Sequence, residues 1–246
     1  MRHIKEFGQL FESEQELTQE QKDWLDACTA GRWKLNPQTG LVDVDRNFNC
    51  QNQDLPDFEG VRFGDVGGNF DCSDNSLTSL EGAPQSVGGD FWCYDNSLTS
   101  LKGAPQSVGG YFACSENSLT SLEGAPQIVG GSFGCQGNQL TSLEGAPRRI
   151  GRDFACYYNQ LTSLEGAPQE VGGNLNCSGN PISNDAIVKV IKLMSRKKIT
   201  LEQAVSQCWN KLKEEDMIHL VKHNPDLSPE EKRGYEALAR HKKRLI

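Results

Sequence analysis

Apolar side chains return along the middle of this chain at a fixed period, separated by polar and glycine-rich stretches. Each unit carries Phe, then Cys two residues later, and Leu at the fifth and eighth positions after the Cys. The first of these leucines recurs every 21 residues, at Leu77, Leu98, Leu119, Leu140 and Leu161. A constant period of about 20–30 residues is typical of solenoids, in which each repeat packs on its neighbours.

The Phe-x-Cys pair predicts a short β-strand in every repeat, because side chains two residues apart lie on one face of a strand. The Phe and Cys side chains would point inward, and the Asn three residues after the Cys would pair with backbone groups at the turn. The leucines, and the Val or Ile before Gly-Gly, would fill the rest of the core. Gly-Ala-Pro predicts the corner on the opposite side.

The cysteines predict a ladder of reduced thiols rather than disulfides. Stacked strands put equivalent residues about 4.8 Å apart with parallel side chains, whereas a disulfide needs converging Cβ atoms about 3.8 Å apart. No histidine and no Cys-x-x-Cys pair accompanies them, which disfavours a metal or redox ladder. The ladder contains Cys50, Cys72, Cys93, Cys114, Cys135, Cys156 and Cys177.

The repeat resembles the leucine-rich repeat. Gly88-x-x-Phe91-x-Cys93-x-x-Asn96-x-Leu98 matches the family pattern L-x-x-L-x-L-x-x-N/C-x-L, with Gly, Phe and Cys replacing the first three leucines. The resemblance implies an α+β fold, a parallel-β solenoid whose strands line a concave binding face. The return segment is too short for the full convex helix of that family. The repeated motif LTSLEGAP also resembles the repeats of a group of bacteriophage and bacterial proteins, and this resemblance implies a phage origin.

The sequence divides into three parts. Residues 1–46 are expected to form an N-terminal helix and capping hairpin, with the capping box Thr18-x-x-Gln21 starting a helix over about 19–29. Residues 47–182 hold about seven leucine-rich-repeat-like units of 21 or 22 residues. Residues 183–246 are expected to form a C-terminal helical cap, because caps keep solenoid ends from exposing their cores.

Charge is distributed unevenly along the 246 residues, whose net charge is −8. The repeat region, 69–182, has 4 Lys and Arg against 11 Asp and Glu, whereas 183–246 has 14 against 9. Such a division predicts different partners for the two parts. No apolar run reaches the ~20 residues of a membrane span, and the start does not resemble a signal peptide. We therefore expect a cytoplasmic protein, in the host cytoplasm if the chain is phage-encoded.

The candidate binding residues are those that point outward beside the Phe and Cys positions. The inward positions barely change between repeats, while the outward ones vary as a recognition surface would. Exposed Trp and Tyr are common interface anchors, and acids make the N-terminal half of this face negative. The predicted protein-binding residues are Asp71, Asp74, Asp90, Trp92, Tyr94, Asp95, Tyr111, Glu116, Asp153, Tyr157 and Tyr158.

No constellation in the sequence indicates an enzyme, a metal site or a cofactor. The acidic pairs could suit glycoside hydrolysis, but no pocket-forming insertion accompanies them. His219 and His223 share a helical face, but the Glu of a metalloprotease motif is replaced by Leu220 and a third ligand is missing. Cys208, the only cysteine beyond the repeats, lies in a tail too short for the ubiquitin-ligase domain of some leucine-rich-repeat effectors.

We therefore expect a non-enzymatic protein-binding scaffold that inhibits or redirects its partner. With a phage origin the partner would be a host protein, such as a defence or nucleic-acid enzyme. One alternative is a role with nucleic acid, through acidic mimicry by the repeats or DNA contact by the basic residues 240–244. Another is a structural protein of a virion or its assembly. No membrane partner is expected.

Overall fold

The computed structural model describes residues 16–162 and 164–182, together with Arg233. The described chain is a parallel β-solenoid with one short helix at its N-terminal end. Each full 21-residue coil contributes two strands of two residues, one to each of two sheets. Equivalent residues of successive coils pair in register, as Phe91 does with Phe112 and Val108 with Val129.

The two sheets have separate strand orders. The first sheet runs through Trp33–Leu35 (β1), Val42–Val44 (β2), Phe63–Val66 (β4), Ser86–Val87 (β6), Ser107–Val108 (β8), Ile128–Val129 (β10), Arg149–Ile150 (β12) and Glu170–Val171 (β14). The second sheet runs through Phe48–Asn49 (β3), Phe70–Asp71 (β5), Phe91–Trp92 (β7), Phe112–Ala113 (β9), Phe133–Gly134 (β11), Phe154–Ala155 (β13) and Leu175–Asn176 (β15). The second sheet is the predicted Phe-x-Cys sheet, whereas strands in the first sheet from β4 onward were not predicted.

The N-terminal end of the solenoid is closed by a helix and a hairpin, as predicted. Helix α1 spans Gln19–Thr29, and both halves of the capping box between Thr18 and Gln21 are formed. The Trp24 ring packs edge-on against Phe48 at 5.3 Å between centroids. Strand β1 pairs antiparallel with β2, which then pairs parallel with β4. The hairpin therefore leads directly into the first coil.

The core consists of stacked columns of identical side chains. Phe91, Phe112 and Phe133 are fully buried and stack with ring centroids 5.2 Å apart. The cysteine beside each Phe is also buried, and the thiol of Cys93 donates to the Ala113 carbonyl of the next coil at 3.4 Å. Every coil therefore repeats one core layer, and the inward positions leave little room for variation.

The asparagine column replaces missing backbone pairs at each turn. The amide nitrogen of Asn138 donates to the carbonyls of Cys114, Cys135 and Gln136, at 3.0, 3.1 and 3.3 Å. Its oxygen accepts from the Leu119 amide of the preceding coil at 3.0 Å. One side chain thus satisfies backbone groups of two coils, which confirms the predicted role of this column.

The Gly-Gly pair is required by close approach between coils. A Cβ on Gly109 would collide with the Gly88 carbonyl, and one on Gly110 would collide with the Asp90 carboxylate of the preceding coil. The pair therefore lets the backbones of successive coils contact each other, and it leaves space for the Asp90 side chain.

Several predictions fall outside the described residues. They are the C-terminal helical cap over 183–246, the assessment of Cys208, the histidines at 219 and 223, and the basic residues 240–244. Among the residues that the structure describes, no helix is long and apolar enough to cross a membrane.

Candidate binding face

The outward side of the second sheet carries all eleven predicted binding residues. We define the variable face as the residue before each Phe of this sheet and the first, third and fourth residues after it, from Asn69 to Gly179, with Leu175 in the last Phe position. Strand pairing aligns these positions in columns, so that Asp71, Trp92 and Ala113 are neighbours on successive coils. The face is thus one surface assembled from six coils.

Three of the predicted acids make hydrogen bonds within the solenoid, one inside its own coil and two to the next coil. Asp71 is only 5% exposed, and its carboxylate accepts from the Ser73 hydroxyl at 2.6 Å. Asp90 accepts from the Tyr111 amide of the next coil at 2.6 Å, and Asp153 accepts from the Asn174 amide at 2.7 Å. These contacts give the three carboxylates a structural role beside any role in binding.

The fourth column of the face lies in left-handed backbone conformation. Asp74, Asp95, Glu116 and Tyr158 have φ of 54°, 50°, 49° and 52°. Glycine occupies this position in two other coils, and it adopts such angles without the steric cost that a Cβ brings. Four coils therefore carry a side chain at a position where glycine is the least costly residue.

The side chains of this column lie along the solenoid toward the next coil. A Cβ on Gly137 would collide with the Glu116 carboxylate, and one on Gly179 would collide with the Tyr158 ring. Glycine in the following coil thus provides the space that Glu116 and Tyr158 occupy. Tyr158 is 68% exposed and meets the Tyr157 ring edge-on at 5.3 Å between centroids.

The remaining aromatic residues of the face are half-buried rather than free in solvent. Ala113, beside Trp92 in the outward column, is only 2% exposed, as expected when a large indole covers its neighbour. Tyr111 extends over the next coil, since a Cβ on Gly134 would collide with its hydroxyl. Tyr94 is also half-buried. Contact with the neighbouring coils therefore restricts these aromatic side chains.

Gln136 was not among the predicted binding residues, yet it has the most unusual environment on the face. Its side-chain oxygen is buried and accepts no hydrogen bond of acceptable geometry. The Tyr111 hydroxyl lies beside it, above Gly134. The two glycines of its coil, Gly134 and Gly137, are the sequence signal that could have drawn attention to Gln136.

Two titratable groups of the face have perturbed pKa values. Burial, and secondarily repulsion from the Asp74 carboxylate, raises the pKa of the Asp95 carboxyl above its usual range. Burial is also the main cause of the raised pKa of the Tyr111 phenol, and the adjacent Gln136 side chain partly offsets this rise. Burial thus accounts for most of the raised pKa of Asp95, and Asp74, at the equivalent position of the preceding coil, adds a smaller contribution.

The cysteine ladder lies on the inward side of the same sheet, where its thiols are shielded from solvent. Its members from Cys50 to Cys156 are free and fully buried. Burial raises the pKa of each of these thiols, to about 12 for Cys156. Cys177 is disulfide-bonded, so the prediction of a fully reduced ladder is wrong for its last member. Within 16–162 and 164–182, no group of three or more Cys, His, Asp or Glu could hold a metal ion.

Comparison of the chain with protein-family models and with curated proteins found no match. The solenoid architecture therefore rests on the structure, and the relationship to leucine-rich repeats and to phage-type LTSLEGAP repeats stays a prediction.

Proposed function

We propose that this protein is a non-enzymatic scaffold that binds another protein through the variable face of its solenoid. One contrast carries the proposal: the inward side of the second sheet repeats the same residues in every coil, and the outward side does not. If the face served only to be solvated, the glycine, serine and asparagine found in some coils would suffice in all of them. Instead it carries five aromatic residues, which are frequent anchors of protein interfaces.

The geometry of the aromatic residues supports binding over a chance distribution. Trp92 and Tyr94 lie on one coil, and Tyr157 and Tyr158 lie three coils further along. Because coils are spaced by about 4.8 Å, the two pairs are about 14 Å apart. Two anchors at this distance suit a protein surface or an extended segment. The predicted phage-type resemblance extends the proposal to a host protein as the partner.

The proposal is tested by capturing partners from a lysate on the immobilised full chain. The variant Trp92→Ala/Tyr94→Ala/Tyr157→Ala removes aromatic anchors from the variable face. Thr78→Ala/Thr99→Ala/Thr120→Ala is the matched control, because these three side chains are exposed on the return segment, away from the face. Bound proteins are identified by mass spectrometry, and urea unfolding verifies that both variants fold.

We expect proteins that the parent chain and the threonine variant retain and that the aromatic variant loses by tenfold or more, because truncating an anchor residue commonly costs about 2 kcal/mol or more. Equal capture by all three chains would exclude the variable face as the binding surface.

Acidic mimicry of nucleic acid is the second candidate. The observation that favours it is the row of Asp74, Asp95 and Glu116 on successive coils. In that case duplex DNA would compete with the chain for a captured protein, whereas the main proposal predicts no such competition.

A further inference from the structure

The core layer at the C-terminal end of the solenoid is shielded from water. Strands β14 and β15 are the last strands of the two sheets, and among the described residues neither has a neighbour on its far side. A layer left at an open end would present one whole side to solvent. Yet Val171, Leu175 and Cys177 of this last layer are only 8%, 6% and 4% exposed. The cover therefore comes from a part of the chain outside the described coils.

The opposite end of the solenoid has a comparable cover that the structure describes. Helix α1 packs on the first core layer, where the Trp24 ring meets Phe48 edge-on. Phe48 and Cys50 of that layer are fully buried. The two ends of the core are thus shielded to nearly the same degree, although only one of the covers belongs to the described residues.

The sulfur of Cys177 differs from those of the earlier coils. Further back in the ladder a thiol donates to a carbonyl of the next coil, as that of Cys114 does to Gly134 at 3.4 Å. Cys177 has no following coil among the described residues, and it is disulfide-bonded instead. The bonded cysteine is therefore the one that faces the covered end.

The cysteines of the sequence leave one candidate for its partner. The chain has nine cysteines. Cys28 and the ladder members from Cys50 to Cys156 are free thiols, which excludes them as partners of Cys177. The remaining cysteine is Cys208, which lies outside the described residues and about 30 positions after Cys177. An extended segment of that length spans about 100 Å, so it can easily return to the coil that it leaves.

We infer that Cys177 and Cys208 form a disulfide that fastens the C-terminal segment, residues 183–246, over the last coil. Formation of the bond takes two electrons and two protons from the two thiols. One molecule of a low-molecular-weight disulfide, such as oxidised glutathione, accepts them and leaves as two thiol molecules. The cover of the last core layer thereby depends on redox conditions, which the variable face does not.

Peptide mapping of the full chain identifies the partner of Cys177. The protein is treated with oxidised glutathione, unfolded in the presence of a thiol-alkylating reagent and cleaved after glutamate. Cleavage at Glu165 and Glu170 puts Cys156 and Cys177 on separate peptides. We expect one linked pair of peptides, containing Cys177 and Cys208, from a chain that remains a monomer on a non-reducing gel. Any other state of Cys177, whether alkylated, glutathionylated or linked to a second copy, would overturn the inference.

Hydrogen exchange measures whether the bond holds the cover in place. Reduction should speed amide exchange in residues 170–182 by about tenfold or more, because the bond limits the freedom that the segment gains on opening. Residues 86–98 belong to an interior coil, and their exchange should not change. Unaltered exchange in residues 170–182 would show that the disulfide does not hold the cover.

Two variants separate the bond from other effects of the reductant. Cys208→Ser should show the fast exchange in residues 170–182 without reductant, and reductant should then add nothing. Cys28→Ser is the matched control, since it removes a thiol that is free in the folded chain and should retain the parent's response. A full response to reductant in Cys208→Ser would contradict the inference. Its failure would leave the proposed function standing, because neither Cys177 nor Cys208 belongs to the variable face.

Discussion

The two sides of the second sheet follow different rules although they share the same backbone. On the inner side, Phe and Cys repeat in nearly every coil and are fully buried, so each position is fixed by the identical residue above and below it. On the outer side, the column containing Trp92 holds Asp, Trp, Ala, Gly, Ala and Asn in turn. The difference separates what the fold requires from what the fold leaves free for recognition.

The two sides also differ in how they treat polar groups. At the edge of the inner side, the asparagine column pairs with backbone groups of its own and the preceding coil, as Asn138 does with the Leu119 amide and the Cys114 carbonyl. The outer side leaves the Gln136 oxygen unpaired and places Asp95 beside Asp74. Changes to the inner side should therefore act on stability, whereas changes to the outer side should act mainly on binding. Three predictions, from the largest effect to the smallest, test this comparison.

Raising the pH should unfold the protein through its buried thiols. Unfolded thiols ionise from pH about 8.5, while burial raises the pKa of the folded ladder well above that value. The folded state then binds more protons, so its stability is intact below pH about 8.5 and falls as the pH rises. Above pH about 8.5, each buried thiol lowers the free energy of unfolding by about 1.4 kcal/mol per pH unit. The six free thiols of the ladder together lower it by about 8 kcal/mol per pH unit.

The measurement is the urea midpoint between pH 7.5 and 9.8, a window below the titration of most Lys and Tyr side chains. Cys93→Ala supplies the control, because removing one thiol should reduce the pH slope by about a sixth, whatever its effect on stability at pH 7.5. A midpoint that does not change across this window would show that the thiols are not buried in solution.

Asn138→Ala should destabilise the solenoid by about 2–4 kcal/mol, because it takes the acceptor from the Leu119 amide and a donor from the buried Cys114 and Cys135 carbonyls. Gln139→Ala, at the exposed next position, should change the free energy of unfolding by less than about 0.5 kcal/mol. Urea denaturation measures both. Similar losses in the two variants would contradict the role assigned to the asparagine column.

Asp95→Gly should be more stable than Asp95→Ala by about 1 kcal/mol, because only glycine adopts the left-handed conformation without strain. Both variants remove the carboxylate and its repulsion from Asp74, so their difference isolates the backbone effect. The thermal unfolding midpoint provides the comparison. If the alanine variant is the more stable of the two, the left-handed turn is not under the strain inferred for it.

Much of the fold follows from local signals in the sequence. The pair Thr18 and Gln21 predicted helix α1, and the 21-residue period predicted the second sheet and its buried columns. The strands of the first sheet from β4 onward were missed because pairs such as Ser86–Val87 are too short to show an alternating pattern. Only their pairing with equivalent pairs one period away makes them strands.

The candidate site was predicted in outline but not in detail. The outward positions follow from the Phe-x-Cys register alone. That Asp90 accepts from a backbone amide, or that Gln136 lacks a partner, depends on residues one coil away and on the space that glycines leave. Such contacts join residues about 21 apart in sequence, so a reading confined to one repeat cannot anticipate them.

The in-register stacking of coils also makes the distance between two positions on the variable face a fixed multiple of the coil spacing. Because every coil adds the same core layer, one coil can be duplicated or deleted without creating a new kind of interface. A duplication between Phe112 and Phe133 would move Trp92 away from Tyr157 by about 4.8 Å and leave the coils on either side of these two residues unchanged. Partner choice can thus evolve through changes in distance alone.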